Sequence, residues 1–209
     1  MTGRNDRMFL HETLAHDMAD VNELTIAICG CGAIGSNLAV GLARRGIQNF
    51  LLIDNDRVES HNISTQAWFE RDIGKMKATM LSHLLYSISG AWAVPYEKTI
   101  VQRGQLEKLF DDYFVALAVD AFDNRTAREL VVGSHASVLH VGLSAEETAD
   151  VVWDEKYTLP IDVELEDPCA YPLARSLIEV TVGHAASVIV DFLLTGSKRG
   201  MYIDNCWVV

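Results

Sequence analysis

Cysteine is scarce in this chain, and its spacing excludes more than its number. The four cysteines, Cys29, Cys31, Cys169 and Cys206, form no C-x-x-C pair. That argues against a disulfide framework and against a closed zinc site, so no zinc is expected. Four prolines in 209 residues, with no low-complexity tract and no internal repeat, argue against a string of linked modules. Cations are outnumbered: 17 Lys and Arg face 29 Asp and Glu, a net charge of −12. Such a chain is a poor general binder of phosphate backbones, and no nucleic-acid partner is expected. Long apolar runs are missing as well. The most apolar stretch, 177–195, contains Glu179, His184 and Asp191, so no membrane span is expected. The first residues, MTGRNDRMFLHETLAHD, hold no apolar core of a secretory signal, which leaves the cytoplasm as the expected compartment.

What is present is ordinary globular composition, 49% hydrophobic and 22% charged, enough for one domain over 1–209. Short apolar runs alternate with helical patterns, the mark of parallel βαβ units in an α/β fold. Strands are predicted at Leu24 to Cys29, Asn49 to Ile53, Trp92 to Ile100, Phe114 to Val119 and Ser137 to Leu143. Ala149 to Trp153 and Met201 to Val209 complete the set, the last as a closing strand. Helices are predicted at Ser36 to Arg45 (capped by Gly46), Gly74 to Ser87, Asn124 to Val132 and Pro172 to Thr195 (closed by Gly196). Residues 1–22 read as an N-terminal helical arm. Between Glu146 and Asp167 stand nine acidic residues and one lysine, within a region, 146–171, read as an acidic crossover loop. It is either a solvated face or a surface for a cationic partner.

Gly30-Cys31-Gly32-Ala33-Ile34-Gly35 is a G-x-G-x-x-G between a predicted strand and helix, and Asp54 ends the next strand 19 residues beyond Gly35. Glycines there allow a tight turn and close backbone approach. The helix N-terminus offers amides to phosphate, and the acid can take ribose hydroxyls. The motif points to a nucleotide without saying which. The residues after Asp54 say more. They run D-x-V-E-x-x-N-x-x-x-Q from Asp56 through Asn62 to Gln66, then D-I-G-x-x-K-A from Asp72 through Lys77. Later comes Asp120-Ala121-Phe122-Asp123-Asn124, with Arg125 and Arg128 beyond. A nicotinamide-dependent oxidoreductase needs none of these after its first acid, and no Tyr-x-x-x-Lys pair is placed for hydride transfer.

This order of motifs resembles the ThiF/MoeB/HesA family, the bacterial relatives of the ubiquitin-activating enzymes. The resemblance runs from Leu24 to about Arg128. It implies a Rossmann-like, mostly parallel sheet flanked by helices, with a long C-terminal helix and a closing strand. It also implies binding of ATP with Mg²⁺ and attack on the α-phosphate by a carboxylate, giving an acyl-adenylate and pyrophosphate. By the resemblance, Gly30, Gly32, Ala33, Ile34 and Gly35 pack against the nucleotide and Asp54 holds the ribose. Asp56, Asn62 and Gln66 order the site, Lys77 places its ammonium on the phosphates, and Asp123 holds Mg²⁺. From the residues alone, each has an alternative: Asn62 as a turn residue, Lys77 as a surface helix lysine, and Asp123 as an N-cap for the helix after it.

The family's R-Q pair reads Thr65-Gln66 here, so a cation expected on the β- and γ-phosphates is missing, and a hydroxyl does not replace a guanidinium. Arg71 is one substitute. Arg4 or Arg7, supplied by the other subunit of a homodimer as in the family, is another. Cys169, ahead of the long helix, is the one cysteine placed to accept an activated acyl group or sulfur. A buried small hydrophobe is the alternative. The expected function is adenylation of a carboxylate: the C-terminal glycine of a ubiquitin-like or sulfur-carrier protein, a peptide or a small molecule. A nucleotide-binding scaffold that has lost turnover is the competing expectation.

Overall fold

The computed structural model describes residues 7–16, 21, 23–144, 148–160 and 173–204. Continuous apolar runs form the centre of the sheet, because a parallel strand covered on both faces has no side for water. β1 (Thr25–Cys29) and β2 (Asn49–Ile53) are buried from their second residue onward. β3 (Trp92–Tyr96), β4 (Val115–Asp120) and β5 (Val138–Leu143) complete a parallel set, while β6 (Thr148–Trp153) and β7 (Met201–Asp204) add on antiparallel. The spatial order is β3-β2-β1-β4-β5-β6-β7, so the chain reverses direction across the sheet between β1 and β4.

Alternation along each strand divides the core. Ile26, Ile28, Phe50 and Leu52 face α2 (Ala33–Arg44), α3 (Lys77–Ser89) and α6 (Arg175–Thr195), meeting Leu38, Leu42, Leu81 and Ile189. Ala27, Cys29, Leu51 and Ile53 face α4 (Arg103–Asp112) and α5 (Arg125–Val131), meeting Leu106, Phe110 and Val131. A short α1 (Leu10–Ala15) lies in the predicted N-terminal arm. By length and composition α6 is apolar enough to cross a membrane. One face of it packs on the sheet, with Ile178, Ala185, Ile189 and Val190 buried.

Several boundaries differ from the sequence reading. α2 begins at the glycine loop itself, three residues earlier than expected, because the Gly32 carbonyl already accepts the Ser36 amide at 3.0 Å. β3 stops at Tyr96 rather than Ile100, since its partner β2 ends opposite at Ile53. α3 starts at Lys77 because Gly74 and Lys75 are instead tied to Val58 by backbone hydrogen bonds. α4 was not expected, although Leu106, Leu109 and Phe110 lie at helical spacing behind a Gln102/Gln105 capping box. Pro172, Cys206 and half of the acidic loop, 146–147 and 161–171, lie outside the described residues.

Candidate functional site

Where an open α/β sheet reverses its strand order, the loops beyond the carboxyl ends of the strands diverge and leave a crevice. Here those loops are 30–33 after β1 and 121–124 after β4. They touch: the Ala121 amide donates to the Cys29 carbonyl at 2.8 Å. A Cβ on Gly30, whose φ is +96°, would come within 2.6 Å of the Ala121 carbonyl oxygen. A Cβ on Gly35 would sit 1.8 Å from the Gly30 carbonyl oxygen, so this glycine lets the loop fold back on the helix. Gly32 is different, because nothing lies within 4 Å of the place its Cβ would take. Its open side, at the N-terminus of α2, is where a nucleotide phosphate would have room and amide donors.

Asp54 closes the loop from β2. The Cys31 amide donates to its Oδ2 at 2.6 Å and the Asp56 amide to its Oδ1 at 2.8 Å. Burial pushes the Asp54 carboxyl up, against the opposing pull of Lys77 and the two amides. Lys77 is itself buried and is no surface lysine. Its Nζ lies 3.1 Å from Asp56 Oδ2, and its amide donates to the Asp56 carbonyl at 2.9 Å. Burial alone would lower the Lys77 pKa. Asp54, Asp56 and Asp123 together carry it above the ordinary lysine value. One ammonium thus stands among three carboxylates at the crevice.

Asp123 is exposed and does not cap α5. Asn124 is the N-cap, its Oδ1 accepting the Ala127 amide at 2.8 Å, which corrects the capping alternative for Asp123. Asn62 plays the turn role: buried, it accepts the Glu59 amide at 2.9 Å and closes a capping box. Gln66 accepts the Trp68 indole N–H at 2.7 Å. Segment 65–67 is stitched to the first turn of α2, Asn37 donating to the Thr65 carbonyl at 2.9 Å and the Ala67 amide to Ser36 Oγ at 3.1 Å.

Of the cations considered for the Thr65 position, Arg71 lies over the Phe69 ring at 4.5 Å and Arg7 is exposed just before α1. Arg4 and Cys169 lie outside the described residues. Arg175, at the start of α6, donates to the Ser64 carbonyl at 2.9 Å, bringing a guanidinium beside Thr65 from a region the motif order does not cover. Cys29 and Cys31 are fully buried, and burial pushes both thiols far up.

Sequence reasoning also missed a polar island behind the 121–124 loop. Asp120, fully buried, holds the Phe122 amide on Oδ1 at 3.1 Å. Its Oδ2 faces His140 Nδ1 at 2.8 Å and Arg128 Nη1 at 3.4 Å. The signal was legible: a histidine inside the otherwise apolar run Val138–Leu143.

The fold and the loop geometry define a doubly wound, Rossmann-like α/β domain. The chain belongs to the ThiF family, which it matches over residues 5–140. It is 32% identical over 102 residues to the NEDD8-activating enzyme E1 catalytic subunit of Arabidopsis thaliana, covering 48% of this chain and 22% of that one. It is 30% identical over 100 residues to the tRNA threonylcarbamoyladenosine dehydratase of Bacillus subtilis, covering 47% and 39%. The chain therefore spans well under half the length of these relatives. Among solved structures, E. coli MccB in complex with ATP superposes with a TM-score of 0.70 at 21% identity, covering 94% of this chain and 65% of that one. At that identity the likeness concerns the fold.

Proposed function

We propose that the chain adenylates a carboxylate with ATP, releasing pyrophosphate. The observation that carries this reading is the buried Lys77 ammonium among Asp54, Asp56 and Asp123 at the strand-reversal crevice, with Asp123 released from capping by Asn124. Attack by a carboxylate on an α-phosphate asks a protein for little covalent chemistry. It needs a fixed triphosphate, an in-line nucleophile and charge opposite the phosphate oxygens. Gly32 and the α2 amides would cradle phosphate, Asp54 would orient the ribose, and Lys77 would meet the phosphate charge.

The residues suit a magnesium ion that arrives with the nucleotide. No group of three or more His, Cys, Asp or Glu able to hold a metal occurs among the described residues, and Mg²⁺ is commonly held by one or two carboxylates plus substrate phosphates. Asp123, exposed beside Lys77, is the carboxylate we assign to it. When bound, the ion would neutralise charge on the phosphates. The acyl donor we propose is a peptide or the C-terminus of a ubiquitin-like or sulfur-carrier protein, with a small carboxylic acid as the other source. We further propose a homodimer, because Thr65 leaves the β- and γ-phosphates short of a cation that Arg7 of a second copy would supply. Thr65 in place of the family arginine favours one second reading, a nucleotide-binding scaffold without turnover.

Carboxylate-dependent exchange of pyrophosphate into ATP separates the two. Exchange above background with any carboxylate in a screen of peptides, carrier proteins and small acids supports the enzyme. Mg-ATP binding with no exchange across the screen leaves the scaffold, and a larger thermal shift with NAD than with Mg-ATP removes both. Light scattering on the same sample reads the dimer, and a monomeric mass in an active sample removes that part of the reading.

A further inference from the structure

Asp120 and His140 are register partners on β4 and β5, and Gly142 and Asp150 are partners on β5 and β6. The side chains of Asp120, His140 and Asp150 share a face that α5 covers with Arg128. A Cβ on Gly142 would lie 2.7 Å from Asp150 Oδ1, so the absence of a side chain there makes room for this carboxylate. Burial raises the Asp150 carboxyl, with Arg128 and His140 opposing. Arg128 Nη2 donates to the Val141 carbonyl at 3.0 Å and Nη1 to the Tyr157 hydroxyl at 3.2 Å. The Tyr157 ring stacks on the His140 ring at 3.6 Å, nearly parallel, and His140 Nε2 meets Asp154 Oδ1 at 2.9 Å. Arg125 donates to the Pro160 carbonyl.

Such an island is costly. Taking charges out of water is repaid only when every group is paired with good geometry, and apolar residues of similar volume are often at least as stable. Its output is directional. The imidazole and guanidinium fix Oδ2 of Asp120, whose other oxygen holds the amide of Phe122, the residue before Asp123. On the far side the same imidazole is tied to Asp154 and covered by Tyr157, the start of the 157–160 segment laid over α5.

We propose that His140 is a positioning residue: through Asp120 it sets the Asp123 loop, and through Asp154 and Tyr157 it links that loop to segment 154–160. The proposal rests on the assignment of Asp123 to the nucleotide's metal. Outer groups that orient a metal's carboxylate typically change metal affinity by about 10–100-fold when removed.

The test uses the full chain and two readouts other than turnover. Isothermal titration gives the affinity for ATP in EDTA and in Mg²⁺, and electron paramagnetic resonance reads Mn²⁺ bound with ATP. Wild type should bind ATP more tightly with Mg²⁺, and Asp123→Ala should abolish the gain. His140→Leu should cut the gain by up to about tenfold, the low end of that range because it acts through Asp120 and the Phe122 amide, and alter the Mn²⁺ spectrum, with affinity in EDTA within about twofold of wild type. His140→Asn, whose amide can still donate to Asp120, should recover part of it. Tyr157→Ala, a half-buried position, should lower the gain by a smaller factor, and it decides the matter if His140→Leu does not fold. A wild-type gain that Asp123→Ala removes but that His140→Leu, or Tyr157→Ala in its place, leaves intact overturns this proposal alone. Equal losses in the Leu and Asn variants overturn the hydrogen-bond account. No metal gain in wild type removes the site assignment and this inference with it.

Discussion

Asp123 and Asn124 are neighbours, and the structure gives them separable tasks. Asn124 caps α5, a helix of seven residues, through one bond to the Ala127 amide at 2.8 Å. Removing a capping side chain typically costs about 1 kcal/mol, with a range of roughly 0.5–2. For a chain of this size each kcal/mol moves Tm by about 2–4 °C, so Asn124→Ala should lower Tm by about 1–8 °C and by about 3 °C at the centre. Asp123 is exposed, and the contact it accepts from Asn124 is 3.5 Å long. Asp123→Ala should therefore change Tm by about 1 °C or less, in line with surface substitutions away from caps and cores. Nucleotide affinity should show the reverse. Asp123→Ala should remove the Mg²⁺-dependent part of ATP binding and most pyrophosphate exchange, because charge at the phosphates matters most in the transition state. Asn124→Ala should retain both within a few-fold. Scanning calorimetry and titration on the two variants complete the comparison. A larger Tm loss in Asp123→Ala than in Asn124→Ala, or metal dependence lost only in the latter, would refute the division of labour.

The glycines of the loop should separate in the same manner. Gly35→Ala places a carbon 1.8 Å from a backbone oxygen, so it should destabilise by at least the roughly 1–3 kcal/mol of an overpacked core, read as urea midpoint. Gly32→Ala should leave the midpoint nearly unchanged while weakening ATP binding; a normal affinity would remove the phosphate assignment. Lys77 predicts a pH effect of definite sign. Its folded pKa lies above the ordinary 10.5, so the stability it supplies is complete below about pH 10.5 and is lost as pH rises through the folded value. The difference in unfolding free energy between wild type and Lys77→Met should be flat from pH 7 to 10 and shrink above that; a difference that grows there would contradict the charge arrangement.

The central strands, the glycine loop and the acid after β2 were legible because each follows from local chemistry: apolar runs, a turn that excludes side chains, a strand end. The two elements that escaped have different reasons. α4 carried a clear pattern, Leu106, Leu109 and Phe110, but low overall hydrophobicity between two strands hid it. His140 stood out inside an apolar strand, yet its partners Asp120, Asp154 and Tyr157 lie 14 to 20 residues away and only the strand register brings them together. Asp123 shows the opposite limit. Residue type made it a metal carboxylate or a cap, and only the hydrogen bond from Ala127 to Asn124 decided which neighbour caps.

The outer strand carries a consequence for assembly. β3 is an edge, with Trp92 donating to the Gln48 carbonyl and Tyr96 accepting the Asp54 amide, so residues 92, 94 and 96 turn their backbone groups inward to β2. Residues 93 and 95 turn theirs outward, and Pro95 has no N–H to offer. A strand approaching this side would meet a single donor, from Ala93, and a gap where the next should be. The sheet is thereby sealed against growth at β3 by one ring closure, and two copies that associate there would need side chains, Trp92 among them, rather than shared backbone.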